Sequence, residues 1–72
     1  MEDINLYLKN LGKKIRQLRE DSKANQSVFA EDVGISERQL RRIELGKASP
    51  KLETLIKISD YLKIDLVDML AF

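Results

Sequence analysis

Gly34 stands two residues ahead of Ser36, and this pairing constrains the fold more than any other feature of the chain. Upstream, Asn25 is a good helix N-cap, and Phe29, Ala30 and Val33 fall on one inner face. Glycine best tolerates the left-handed backbone that follows a helix C-terminus, so the helix opened at Asn25 ends at Gly34. Downstream, Ser36-Glu37-Arg38-Gln39 is a capping-box pattern, a serine followed three residues later by glutamine. A second helix therefore begins almost where the first one stops.

The remaining periodicity is helical throughout. Ile4, Leu8, Leu11, Ile15 and Leu18 recur at spacings of four and three, one face of a first helix capped by Asp3 or Asn10. Gly12 weakens that helix locally and predicts fraying before Leu11. Glu20 to Asn25 reads as a turn. The helix opened at Ser36 ends at Leu45-Gly46, and Lys47-Ala48-Ser49 is a loop. Pro50 suits the first turn of a fourth helix with Leu52, Leu55, Ile56, Ser59 and Leu62 inside. Asp65 is placed to cap a last short helix over about 65–71. The expected architecture is all-α, one compact five-helix domain over residues 1–72. Its second and third helices, about 26–45, have the outline of a helix-turn-helix.

Composition narrows function by exclusion. The 72 residues contain neither cysteine nor histidine, so disulfides, the common zinc sites and every His- or Cys-based triad are ruled out. No glycine-rich phosphate loop or convergent acidic cluster appears, so neither an enzyme nor a cofactor or metal is expected. Met1-Glu2-Asp3 is acidic where a secretory segment needs positive charge, and no apolar run matches a bilayer. A cytoplasmic protein with no membrane partner is the expectation. The net charge of +1 hides a polarised distribution. Residues 9–23 carry Lys9, Lys13, Lys14, Arg16, Arg19 and Lys23 against Glu20 and Asp21. Residues 37–51 carry Arg38, Arg41, Arg42, Lys47 and Lys51 against Glu37 and Glu44, whereas residues 60–72 are acidic. The two basic segments can share one positive face.

At about 100° per residue, Leu40 and Ile43 point to one side of the third helix, with Glu44 close beside them. Arg38, Arg42 and Leu45 point to the other side, and Arg41 lies on the flank. Arginine's planar fork engages the O6 and N7 acceptors of guanine bidentately, the commonest specific major-groove contact. A solvated basic face is the plainer alternative. Glu44 near the inner side needs a cation, for which Arg19 on the first helix is the natural candidate. Local pairing with Arg41, or escape to water, is the other possibility.

From about Leu11 to Asp68 the chain resembles the phage-repressor-like helix-turn-helix family, the XRE-type group of lambda repressor, Cro and many small bacterial regulators. The likeness rests on "LGKKIRQLRE", "NQSVFAEDVGISERQLRRIELGKASP" and "KLETLIKISDYLKI". Its most specific part is the ordered set Gln26, Ala30, Gly34, Ser36, Ile43, Glu44, Gly46 and Pro50. The resemblance implies that Gln26 contacts a DNA phosphate and braces the recognition helix, and that Ala30 lets the two helices approach. It implies that Glu37 and Arg38 meet base edges, with Arg42 one turn on. It pairs Arg19 with Glu44 and brings Lys47 to the phosphate backbone. Leu45 departs from the family, standing where a polar or basic residue is frequent. Phe29 replaces the usual leucine. Lys51 replaces a capping serine, which leaves Ser49 to cap the fourth helix.

The function expected from these readings is a sequence-specific transcriptional regulator, a repressor, bound to double-stranded DNA. Lys13, Lys14, Arg16, Arg41, Lys47 and Lys51 would neutralise phosphates. Glu37, Arg38 and Arg42 would read bases; Gln39 could read adenine, though its capping-box position favours the cap. Val67, Met69, Leu70 and Phe72 would form a homodimer interface for palindromic half-sites, or else close the core. The alternative is an antitoxin or bridging protein that uses the same fold to bind a protein partner such as a toxin.

Overall fold

Asp3 caps the first helix: its carboxylate accepts from the backbone N–H groups of Asn5 (2.9 Å) and Leu6 (3.4 Å). The computed structural model describes residues 3–72; Met1 and Glu2, two of the three residues of the acidic start noted above, lie outside the described residues. Within them the chain forms α1 (Ile4–Asp21), α2 (Gln26–Val33), α3 (Glu37–Glu44), α4 (Leu52–Leu62) and α5 (Leu66–Leu70), with no strand. None of these helices is long and apolar enough to cross a membrane.

The expected fraying of α1 does not occur. The helix runs unbroken through Gly12, because that glycine serves a contact between helices. A Cβ at Gly12 would stand 2.7 Å from the carbonyl oxygen of Glu44 and nearer still to that of Ile43. Only a bare Cα lets α1 lie this close to the last turn of α3.

Four helices end in the same way. The residues after α1, α2, α3 and α4 that turn left-handed are Lys23, Gly34, Gly46 and Lys63, with φ of 58°, 79°, 74° and 55°. In each case the next N–H reaches back across the turn: Ala24 to Arg19 O (3.2 Å), Ile35 to Ala30 O (3.0 Å), Lys47 to Arg42 O (2.8 Å), Ile64 to Ser59 O (3.1 Å). These are Schellman closures, which satisfy carbonyls that a helix end otherwise leaves open. The two glycine closures are the ones visible in the sequence.

The start of α4 differs from expectation. Lys51 is the N-cap and makes no side-chain capping bond, Pro50 precedes the helix, and Ser49 does not cap it. Asp65 begins α5, likewise without a side-chain bond. The core gathers Leu11, Ile15, Phe29, Ala30, Val33, Leu40, Ile43, Ile58 and Met69, with Tyr61 stacked on Phe29 at 5.0 Å between ring centroids. Ile58 takes the inward place on α4, while Leu52 and Ile56 stay exposed, as does Ile4 on α1. Both sets fit a helical face; packing against α2 and α5 decides between them. Met69 is fully buried and belongs to this core, which removes it from any interface between copies, and Leu70 is half-buried. Val67 and Phe72 remain exposed.

Candidate nucleic-acid interface

Three separate contacts fix α3 from behind. Leu40 and Ile43 are buried among apolar side chains of the core. Glu44, also buried, accepts from Arg19 Nε (2.7 Å) and Nη2 (3.1 Å) and from Gln26 Nε2 (3.0 Å). The remaining Arg19 nitrogen, Nη1, donates to the carbonyl of Ala24 (2.8 Å). One carboxylate thus joins α1, the start of α2 and the end of α3. The hydrogen bond to Glu44 raises the Arg19 pKa above the ordinary arginine range, against the opposing effect of burial, so the guanidinium stays charged. The third contact is a pair of glycines. Gly12 meets the backbone of Ile43 and Glu44, and a Cβ on Gly46 would strike the Lys9 backbone at 2.7 Å.

The front of α3 is set by its cap. Ser36 Oγ accepts from Gln39 N (3.0 Å), and Gln39 Oε1 accepts from Ser36 N (2.9 Å). Gln39 is therefore engaged as a cap. Glu37, Arg38, Arg41, Arg42 and Leu45 are exposed. Glu37 pairs with Arg41 one turn on, at 3.6 Å. Arg42 Nη2 donates to the carbonyl of Lys47 (3.2 Å), which draws its guanidinium toward the loop after α3. Among the described residues Arg38 has neither an ion pair nor a side-chain hydrogen bond.

Clefts flank α3 on both sides. Arg16, Asn25, Gln26, Ser27, Arg41 and Leu45 line one of them. Along the other stand Gln39, Arg42, Pro50, Lys51 and Lys57. Cations thus border the helix left and right, and Lys47 is exposed at its end. Lys57 and Ser27 were not singled out from sequence, and Asn25 was singled out only as the cap of α2, a role it fills by accepting from Val28 N. Lys57 is a charge on a helix outside the motif, held 3.3 Å from Glu53, and only the fold brings it to α3. The trio Lys13, Lys14 and Arg16 is split. Arg16, 3.5 Å from Glu20, faces the first cleft, while Lys13 and Lys14 line a separate one with Asn10, Gln17 and Phe72. Neighbours in sequence turn about 100° apart around a helix, so a basic run does not make a basic face.

Residues 15–69 match the profile of the helix-turn-helix family. The chain is 31% identical over 58 residues to the cryptic phage CTXphi transcriptional repressor RstR of Vibrio cholerae, covering 81% of this chain and 52% of that protein. It spans about half the length of this curated relative. The fold is that of the restriction-modification controller protein C.AhdI from Aeromonas hydrophila, with a TM-score of 0.88 at 22% identity over 94% of this chain and 99% of that one. ComR from Streptococcus suis matches at a TM-score of 0.79 and 32% identity, over 86% of this chain and 20% of that one.

Proposed function

The chain belongs to the helix-turn-helix family, and on that premise we propose that it is a transcriptional repressor that lays α3 in the major groove of double-stranded DNA. It is not an enzyme: its family is a helix-turn-helix family and its curated relative is a transcriptional repressor. One observation carries the reading. Arg38 stands exposed and, among the described residues, unpartnered at the start of a helix whose other side is locked by Leu40, Ile43 and Glu44. A guanidinium held on a rigid helix, with no internal bond to break, is preorganised to meet guanine. Glu37 and Arg42 are secondary readers, each of which must first release a partner, Arg41 or the Lys47 carbonyl. Arg16, Arg41, Lys47 and Lys51 serve the phosphates on either side, and Gln26 acts by holding Glu44.

One such helix covers few base pairs, so the protein acts as a two-fold dimer on half-sites about one helical turn apart. The exposed apolar side chains of α4 and α5, Leu52, Ile56 and Val67, supply its interface. Selection of bound duplexes from a random pool tests symmetry and spacing together. Arg38→Ala should relax preference at one G·C pair per half-site by about 1–3 kcal/mol, and Lys47→Ala should weaken all duplexes alike. Equal losses on selected and random duplex for Arg38→Ala would reject the assignment.

A further inference from the structure

A second apolar surface lies outside the interface described above. Phe72 packs edge-on against Tyr7, with ring centroids 4.8 Å apart and planes at 61°. Even so, Tyr7 keeps 44% of its surface exposed, Phe72 49%, and neighbouring Leu6 56%. Aromatic side chains that have found each other and stay this exposed form a surface, not a core. Together they line a trough with Asp3 and Asn10. That trough continues into the cleft of Asn10, Lys13, Lys14 and Gln17, and Phe72 walls both parts.

The trough follows α1 and has a direction: acidic at Asp3, apolar through Leu6 and Tyr7, amide at Asn10, basic at Lys13 and Lys14. A partner that fits it must carry the same features in reverse order. The chain's own α1, turned antiparallel, does so. Asp3 lies ten and eleven residues from Lys13 and Lys14, about 15 Å along a helix. A two-fold axis midway, level with Leu8 and Lys9, therefore sets Asp3 of one copy opposite Lys13 and Lys14 of the second copy. It also brings Tyr7 of each copy against Tyr7 and Asn10 of the other, so the exposed aromatic is covered.

We propose that this trough is a self-association face, α1 on antiparallel α1, distinct from the α4–α5 face. Two different isologous faces on one chain link dimers into tetramers and longer arrays. Repressor dimers on adjacent sites would then support one another. The face needs no DNA, so its test is independent of the DNA-binding reading.

Sedimentation of the full chain without duplex, at low ionic strength where exposed charges are least screened, supplies the measurement. Val67→Lys removes the α5 contribution, and the proposal requires this variant still to dimerise. Adding Tyr7→Lys to it should leave a monomer. The charge order is tested by Asp3→Lys in one chain and Lys13→Glu with Lys14→Glu in another, both in the Val67→Lys background. Each alone should dimerise at least about tenfold more weakly, since both ends of the two-fold contact then repel. An equimolar mixture should recover the parent affinity, because every acid again faces a base. Recovery in the mixture also shows that both chains remain folded, although Asp3→Lys removes the α1 cap. The proposal is overturned if Val67→Lys is monomeric at every concentration, if Tyr7→Lys does not weaken it, or if the mixture stays as weak as its components.

Discussion

The carboxylate of Glu44 lies within hydrogen-bond reach of two helices besides its own, and its energetics differ in kind from the other ion pairs. Arg16–Glu20, Glu37–Arg41 and Glu53–Lys57 span one turn on half-exposed surfaces at 3.3–3.6 Å. Such pairs contribute about 0.3–0.5 kcal/mol each. Arg19 and Glu44 are buried, and removing one partner strands the other away from water, at about 3–5 kcal/mol. A domain of this size is stable by roughly 4–11 kcal/mol, so either loss is severe. Arg19→Met and Glu44→Met should each lower urea-unfolding stability by about 3–5 kcal/mol, and the double variant should recover most of it. Recovery stays incomplete because Gln26 also loses its acceptor. Single losses below about 1 kcal/mol would mean that the pair behaves as a surface bridge. Since Arg19 holds its proton to a higher pH than a free arginine, its part of this stability is full below the ordinary arginine range and falls only above it. The pair was legible in the sequence because an inward carboxylate demands a cation. The resemblance implied that Gln26 braces α3, but not that it does so through Glu44, since an amide makes no such demand.

At the scale of elements, the caps and closures that depend on residue type were readable, and those that depend on tertiary contact were not. Gly34, Ser36 with Gln39, and Gly46 announced α2 and α3 because glycine and the capping box act locally. Lys23 and Lys63 close α1 and α4 in the left-handed region at a steric cost that sequence gives no reason to expect. Lys63→Gly should therefore stabilise the fold, by about 0.5–1 kcal/mol after allowing for glycine's greater freedom when unfolded. That corresponds to a rise of roughly 2–8 °C in Tm by calorimetry; a fall would show that the lysine stem packs well enough to offset its strain. Gly12 runs the other way. Alanine there gains about 1 kcal/mol of helix propensity. It also drives a methyl into the Ile43 and Glu44 backbone, which cannot swing aside as a side chain can. Overpacking of this kind costs about 1–3 kcal/mol. We expect Gly12→Ala to lower Tm and to weaken DNA binding, because relief of the clash moves the end of α3. Propensity alone predicts the opposite sign. This is also why α1 looked frayed from its sequence: Gly12 answers to residues more than thirty positions away.

For the whole molecule, charge misleads when summed and misleads again when divided by sequence. A net +1 conceals two basic segments, yet the fold assigns only part of each to α3. Arg16, Arg41, Lys47 and Lys51 border it, Lys57 joins from α4, and Lys13 and Lys14 line another cleft. This redistribution makes the salt dependence of binding a quantitative test of the interface. If Arg16, Arg41, Lys47 and Lys51 each neutralise one phosphate, a dimer releases about eight counterions, and log K should fall against log salt with a slope near −7. Lys47→Ala removes one cation per copy and should flatten the slope by about 2, with equal loss on specific and random duplex. Lys13→Ala with Lys14→Ala should leave the slope of a single bound dimer unchanged, although charge counted along the chain predicts the larger effect there. Fluorescence anisotropy across salt concentrations separates the two. A slope that responds to Lys13 and Lys14 but not to Lys47 would place the phosphates on the far side of α1, and α3 would then not lie in the groove.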